Sequence, residues 1–193
     1  QDELRPALIR GKDFPRNIQS LATDQKNLYI GMKDEVGCYS FATSDYQVIS
    51  HPEFFYISTL MLDSSESTLW IGNAHHLHRM NLNTKEIERV RDFYVVKSIA
   101  KDDNNLLIGT DNGLYVCDRQ GTWHLISHDA RNSQSLSSNV VNMFFKDANG
   151  NIWIGTDNGI SLAAHNPSIR SRSLFDIPGS DEGCQISSIQ RTA

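Results

Sequence analysis

The stretch NIWIGTDNGISL, residues 151–162, has the composition of a β-hairpin. Its triplet IWI is bulky and strand-prone, and the triplet DNG that follows is typical of a tight turn. Nearly the same string, LLIGTDNGLYV, occupies residues 106–116. A hairpin sequence that occurs twice indicates that the architecture itself repeats.

A short apolar strand that ends in glycine recurs along the whole chain. It occurs four times, at intervals of roughly 40 residues. The glycines are Gly31, Gly72, Gly109 and Gly155. An aspartate precedes each of these strands, at Asp24, Asp63, Asp102 and Asp147. Two further strand-like runs follow each glycine, and four short strands in roughly 40 residues are the repeat of a propeller blade.

Other repeat architectures fit the sequence less well. Helical repeats need apolar residues at helical spacing, and no stretch keeps that pattern for the length of an ordinary helix. A β-sandwich gives strands at even spacing, but not the same four-strand unit four times. The sequence therefore predicts an all-β chain, a β-propeller of four-stranded antiparallel blades.

The second strand of each predicted blade is apolar on both faces, as in LWIG and IWIG. Such a strand is typical of a sheet that is covered on both sides, so we expect Trp153 to be buried. The glycine at its end is expected where the backbone turns tightly. Asn112-Gly113 and Asn158-Gly159 are expected to form type I′ turns.

One polar residue stands near the start of each predicted first strand. These residues are Gln19, Ser58, Lys97, Asn142 and Ser187. The innermost strand of a blade borders the central channel of a propeller. We therefore expect these side chains to line a water-filled channel and to have no catalytic role.

At these repeats the chain resembles a known family. Residues 136–163, LSSNVVNMFFKDANGNIWIGTDNGISLA, are similar to the repeat of the two-component regulator propeller, and residues 95–116 match it more loosely. In that family the repeats build the sensor region of membrane-bound hybrid histidine kinases of Bacteroides-like gut bacteria. The resemblance implies a periplasmic portion of an inner-membrane receptor. It also implies that the receptor detects a nutrient, such as an oligosaccharide, and signals to cytoplasmic kinase and response-regulator domains.

The repeat boundaries predict a partial propeller over residues 1–193. An outer strand is expected at 4–10 and the inner strand of a next blade at 185–190. Whole blades are expected at about 17–50, 56–91, 95–127 and 140–174. Because two end strands cannot complete a blade, we expect an excised part of a larger, seven-bladed ring rather than a closed five-bladed one. The other blades and receptor domains are then expected partners, and a homodimer stays open.

Composition argues against several classes of partner. The net charge is −5 at pH 7 without a basic cluster, which argues against nucleic acid. No run of 18 apolar residues occurs, so we expect no membrane contact by this segment. The cysteines at 38, 117 and 184 lie far apart and predict neither a disulfide framework nor a metal site. We interpret them as small apolar residues, and no cofactor is expected.

Two other function classes stay open. Propellers also carry glycosidases and lyases, and the fold alone does not decide between an enzyme and a sensor. A glycosidase needs two facing carboxylates, whereas the acidic residues here fall mostly in turns and outer strands. We therefore expect no catalytic residue in this segment and assign any enzyme activity to a parent histidine kinase. The second alternative is a protein-interaction platform.

The sequence HHLH, with His75, His76 and His78, is the obvious metal-like cluster. A zinc site needs further ligands, and no carboxylate or cysteine is evidently placed to join these histidines. We therefore expect surface histidines and no metal.

Recognition is predicted on the loops that join strands two and three and on the loops between blades. In the first two units the loops between strands two and three depart from the repeated TDNG turn, and the loop between the first two blades carries two adjacent aromatic residues. The candidate ligand-binding residues are Asp34, Glu35, Phe54, Phe55, His75 and His76. Aromatic and polar side chains on one rim suit sugar stacking or a protein contact, although loops also vary without a function.

Overall fold

Within each described sheet, strands that are consecutive in sequence pair antiparallel, without crossovers. The structure, a computed structural model, describes residues 17–102 and 104–163, and the backbone of 8–9, 12–13 and 169–172. The chain divides into two units, Gln1–Asp92 and Phe93–Ala193. Two four-stranded sheets lie in each unit, and we call these sheets the first to fourth blades.

The first unit contains a short hairpin and two blades. The hairpin pairs β1 (Leu8–Ile9) with β2 (Lys12–Asp13). The first blade consists of β3 (Ser20–Thr23), β4 (Asn27–Gly31), β5 (Glu35–Ser40) and β6 (Tyr46–Ser50). The second blade consists of β7 (Thr59–Asp63), β8 (Thr68–Gly72), β9 (His76–Asn81) and β10 (Ile87–Asp92). The rest of the predicted outer strand at 4–10 lies outside the described residues.

The second unit contains the third and fourth blades. The third consists of β11 (Val96–Asp102), β12 (Asn105–Thr110), β13 (Gly113–Cys117) and β14 (Trp123–Ile126). The fourth consists of β15 (Val141–Lys146), β16 (Ile152–Thr156), β17 (Gly159–Ala163) and β18 (Ile169–Arg172). The predicted inner strand at 185–190, with Ser187, and Cys184 lie outside the described residues. The all-β architecture of four-stranded antiparallel blades is thus confirmed.

Within each unit, apolar side chains from both blades share one core. In the first unit, Tyr29 and Val36 of the first blade pack in one cluster with Leu69 and Ile71 of the second. In the second unit, the cluster is formed by Leu107, Leu114, Leu136, Val141, Ile152 and Ile154. Burial of such side chains is the main favourable term in folding, so each blade is stabilised by its neighbour within the unit.

The second strands are the most buried, as their two apolar faces predict. All residues of β8 are buried, including Trp70. Trp153 of β16 is an exception, because it stays partly exposed and its indole N–H donates to Asp147 Oδ2 over 3.0 Å. The expected burial of Trp153 on both faces is therefore wrong, since its polar nitrogen reaches a carboxylate at the blade edge.

The glycine that ends a second strand makes room for the following blade. A Cβ on Gly31 would lie 3.2 Å from side-chain atoms of Ile57 and Leu60. A Cβ on Gly109 would collide with Ser98 Oγ and lie 2.7 Å from Val141 Cγ1. The expected reason, a tight turn, is wrong here, because neither glycine has a positive φ and the crowding comes from residues outside the glycine's own strand.

The TDNG turns of the second unit use threonine as well as glycine. Thr110 Oγ1 donates to Gly113 O over 2.8 Å and accepts the Asn112 N–H over 3.0 Å. Thr156 makes the same two bonds in the fourth blade, at 2.9 and 3.2 Å. Only the glycine of each turn has a positive φ, +112° for Gly113, so the predicted type I′ pair is wrong.

Two polar residues of the first strands sit at β-bulges. The pairing register shifts between Val96 and Ser98, and the same shift in β15 places Asn142 at a bulge. The extra residue, Lys97, donates to Asn142 Oδ1 over 3.2 Å and pairs with Asp111 Oδ1 at 2.9 Å. The polar positions of these two inner strands therefore contact each other.

Cys38 and Cys117 lie half-buried in third strands. Burial raises the pKa of the Cys38 thiol, which keeps it neutral. Within the described part of the chain, no helix has the length and apolarity of a membrane span.

Candidate functional site

The predicted recognition residues lie at one edge of the two blades of the first unit. Three segments meet there, and we call them the rim: 32–35, 51–58 and 73–76. Backbone hydrogen bonds join the segments. The Ile57 N–H donates to Lys33 O over 2.9 Å, and the Ala74 N–H donates to Phe55 O over 3.1 Å. The rim is therefore one connected surface, as the predicted loop positions require.

Three exposed aromatic side chains lie on the rim, and we call them the aromatic surface: Phe55, Tyr56 and His75. The rings of Phe55 and His75 are parallel, with centroids 5.7 Å apart, and Phe55 meets Tyr56 edge-on at 4.8 Å. Phe55 is 47% and Tyr56 53% exposed. Lys33 Nζ lies 5.1 Å from the centroid of the Tyr56 ring. An apolar face with a cation at its border thus points to solvent.

Tyr56 has an unusual backbone conformation. Its φ is +50°, in the left-handed region that bulky side chains rarely adopt. The Ile57–Lys33 and Ala74–Phe55 bonds hold the residues on either side of it. Strain of this kind persists only where the surroundings enforce it, and it is concentrated at functional sites.

A buried layer lies under the aromatic surface. Phe54 is only 5% exposed, and its ring packs against His51 at 5.4 Å and His78 at 5.5 Å. The expected exposure of Phe54 is therefore wrong. Adjacent side chains of an extended segment point to opposite sides, so Phe54 points into the core where Phe55 points outward.

His78 lies at the centre of this layer, with its side chain fully buried. Its Nε2 is 3.1 Å from Glu53 Oε2, and Arg89 Nη1 is 3.2 Å from Glu53 Oε1. The expectation of a surface histidine without a nearby carboxylate is thus wrong for His78. Its neighbour on the same strand face, His76, is half-buried and contacts Asp92 Oδ1 through Nδ1 at 3.0 Å.

The charges in this layer are fixed by burial and by hydrogen bonding. Burial lowers the pKa of His78 and outweighs the opposite effect of Glu53, so the imidazole is neutral at pH 7. The hydrogen bond from His78, helped by Arg89, lowers the pKa of Glu53. The pair therefore consists of a neutral imidazole and a carboxylate.

Asn73 fixes the turn that carries the histidines. Its Oδ1 accepts the N–H groups of His75 and His76 over 2.8 and 2.7 Å, and its Nδ2 donates to Glu53 O over 2.8 Å. One buried amide thus ties the turn before β9 to the connection between the blades.

The two acidic residues of the predicted site differ in position. Asp34 is exposed and lies 3.9 Å from Lys33, so it borders the aromatic surface. Glu35 is the first residue of β5 and pairs with Ser50 of β6. Burial, and after it the charge of Glu35, raises the pKa of Tyr46. The structure brings together Asp34, Phe55 and His75, with Phe54 beneath them.

Sequence reasoning missed four residues of the rim and its buried layer: Lys33, His51, Glu53 and Tyr56. Lys33 and Tyr56 are direct neighbours of predicted residues. The signal for Lys33 was the departure from the TDNG turn, and the signal for Tyr56 was the pair of adjacent aromatics before it. His51 and Glu53 are 25 or more residues from His78, so only the packing of two blades brings them together.

Comparison with known proteins agrees with the repeat. Residues 135–158 match the family model of the two component regulator propeller. The chain carries a two-component regulator propeller repeat. The extracellular domain assigned to the hybrid two component system BT4673 of B. thetaiotaomicron is 34% identical, with a TM-score of 0.71. This match covers 78% of the present chain and 22% of that one.

A second solved structure is similar to this chain in fold alone. It is the extracellular domain assigned to the hybrid two component system BT3049 of the same organism, 20% identical with a TM-score of 0.56. It is matched over 79% of the present chain and 27% of its own. Among curated proteins, none matches this chain. The family predicted from the sequence is confirmed, and the extracellular neighbours agree with the predicted periplasmic location.

Proposed function

We propose that this chain is a ligand-sensing part of a two-component receptor and that its aromatic surface contacts a nutrient oligosaccharide. The observation that carries the proposal is the exposed parallel pair of Phe55 and His75 beside Tyr56. Its setting is a chain that resembles the extracellular domain of a hybrid two component system. The parent receptor would pass the signal to its cytoplasmic kinase and response-regulator domains.

The chemistry of the surface suits a sugar. A pyranose ring has an apolar C–H face and a border of hydroxyl groups, so it needs a flat apolar partner with polar groups at the edge. Phe55 and Tyr56 provide the apolar area. Lys33 and the exposed Asp34 beside it provide a donor and an acceptor.

The test is a calorimetric titration of the chain with a panel of plant and host oligosaccharides. We expect at least one oligosaccharide to bind, and we expect Phe55→Ala to weaken that binding at least tenfold. Tyr94→Ala is the matched control, because Tyr94 is 81% exposed and lies in the other unit. Equal losses in both variants, or undiminished binding by Phe55→Ala, would remove this surface from the proposal.

A protein-interaction platform is the second candidate, because the same exposed aromatic rings suit a protein contact. The two functions separate in one experiment on the full receptor. Signalling that requires Phe55 but responds to no oligosaccharide favours a protein partner. Release of reducing sugar by the chain would instead favour a glycosidase or a lyase.

A further inference from the structure

Three side chains of the rim and its buried layer bring metal-binding atoms close together. One ligand atom each from His51, Glu53 and His78 lies within 4.8 Å of the other two. We infer that these three residues bind a divalent transition-metal ion, and that zinc is the ion that fits best. This trio is not the HHLH cluster of the sequence, since His78 alone belongs to both.

The donor set favours zinc over harder cations. Two imidazole nitrogens and one carboxylate oxygen are typical zinc ligands, whereas calcium and magnesium prefer oxygen alone. Three protein ligands leave one position of a tetrahedral ion for water or another small ligand. Glu53 has 34% of its side chain exposed, so solvent can reach the ligand set.

His78 and Glu53 are already spaced almost like two ligands of a bound zinc ion. Their Nε2 and Oε2 atoms are 3.1 Å apart, and two ligands of a tetrahedral zinc ion lie about 3.3 Å apart. An ion can therefore enter between them with little movement. His51 must move closer and give up a 3.3 Å bond in which its Nδ1 accepts the Glu53 N–H.

Neighbouring groups orient the ligands and set the cost of binding. An ion at His78 Nε2 moves the ring proton to Nδ1, which is buried and has no hydrogen-bond partner among the described residues, so the ion must offset the cost of that buried N–H group. Arg89 engages Glu53 Oε1 and leaves Oε2 directed at His78. The His76 ring, 5.6 Å from the His78 ring, is the other titratable group facing the trio.

The position of the trio gives the ion a structural consequence. His51 and Glu53 lie on the connection that leaves the first blade, and His78 lies on β9 of the second. A bound ion would link this connection to the second blade beside Phe54, which packs against both histidines. It would therefore stabilise the first unit whether or not the aromatic surface binds a sugar.

The test is titration of the whole chain with Zn²⁺ by calorimetry and with Co²⁺ by visible absorption. We expect one Zn²⁺ per chain, a Co²⁺ spectrum of a four-coordinate centre, and a melting temperature that rises with Zn²⁺. His51→Ala and Glu53→Gln should each weaken Zn²⁺ binding at least tenfold. Circular dichroism of each variant shows that it remains folded.

His124→Ala is the matched control, because His124 is an exposed histidine beside Asp118 in the other unit. It should leave Zn²⁺ affinity unchanged. Absence of Zn²⁺ binding, or equal binding by wild type and a His51→Ala/Glu53→Gln double variant, overturns the site. A loss in His76→Ala as large as that in His51→Ala would place the ion on the HHLH cluster and also overturn it. Phe55→Ala should bind Zn²⁺ like the wild type, because Phe55 is not a ligand of the ion. The metal proposal can therefore hold even if no oligosaccharide binds.

Discussion

His78 Nε2 lies 3.1 Å from Glu53 Oε2, so a fully buried histidine of the second blade is held by a carboxylate from the preceding connection. The contact spans 25 residues of sequence and fixes how that connection lies on the blade. A buried imidazole N–H without an acceptor is costly, so Glu53 is expected to stabilise the unit even without a metal ion.

Glu53→Ala tests this contact. Because the change leaves His78 Nε2 without its acceptor, we expect the melting temperature to fall by roughly 3–8 °C, measured by circular dichroism in metal-free buffer. Glu88→Ala is the control, because Glu88 pairs with Arg79 at 2.8 Å on the exposed face of the same blade. That change should cost little, as surface ion pairs do. Equal effects of the two changes would show that His78 does not depend on Glu53.

Asp147 gives the fourth blade a dependence on pH. Its Oδ2 accepts the Trp153 indole N–H over 3.0 Å and the Asn151 amide over 2.9 Å. Hydrogen bonds from Asn151 and Trp153 lower the pKa of Asp147 from 3.8 to about 2. Since the folded pKa lies below the unfolded one, the stabilisation is complete above pH 3.8 and is lost as pH falls towards 2.

The check compares the wild type with Asp147→Asn by thermal melting between pH 6 and pH 2. We expect the wild type to melt higher above pH 4, and we expect the gap to narrow as Asp147 is protonated. A gap that stays constant over this range would mean that the charge of Asp147 contributes no stability.

Gly109 is predicted to tolerate no side chain. A Cβ there would lie 2.7 Å from Val141 Cγ1 and 2.9 Å from the Val141 carbonyl oxygen, so a strand would have to move. We expect Gly109→Ala to cost about 3 kcal/mol in urea denaturation, the upper part of the range for overpacking. Gly121→Ala is the control, with open space but a φ of +82°, and should cost about 1 kcal/mol. The reverse order would contradict the role assigned to Gly109.

The sequence predicted the fold well because each blade is a local structure. Its signals depend on residues close in sequence: the four-strand repeat, the apolar second strand and the aspartate before that strand. Asp24, for example, accepts the N–H groups of Lys26 and Asn27 over 3.0 and 2.6 Å. The reason for the glycines was not predictable in this way, because the crowding at Gly31 comes from Ile57 and Leu60 of the next repeat.

The candidate site was predicted only in part, because its residues depend on how two blades pack. Departures from the TDNG turn marked two of the segments that meet at the rim, and the adjacent aromatics between the first two blades marked the third. They did not show that Phe54 points inward and Phe55 outward, since both faces of an irregular connection look alike in sequence. His78 looked like a surface residue because its partner Glu53 lies on another segment.

Tyr56→Gly separates the function of Tyr56 from its role in folding. The left-handed backbone at φ +50° costs a tyrosine about 1–2 kcal/mol, and glycine removes that cost. The greater freedom of glycine in the unfolded chain lowers stability by about 0.5–1 kcal/mol. The loss of the tyrosine ring costs little more, because about half of the side chain is exposed. We therefore expect stability within about 1 kcal/mol of the wild type, measured in urea. We expect oligosaccharide binding, measured by calorimetry, to fall at least tenfold if the aromatic surface is the sensor site.

Ser67→Gly is the matched backbone control, because Ser67 has the same φ of +50° and lies in a turn of the second blade. It should bind the oligosaccharide like the wild type. Tyr56→Asn is the second comparison, since asparagine tolerates the left-handed region and lacks the ring. Loss of binding in both Tyr56 variants, but not in Ser67→Gly, assigns the strained tyrosine to recognition. Normal binding by Tyr56→Gly would show that the strain serves only the path of the chain between the first two blades.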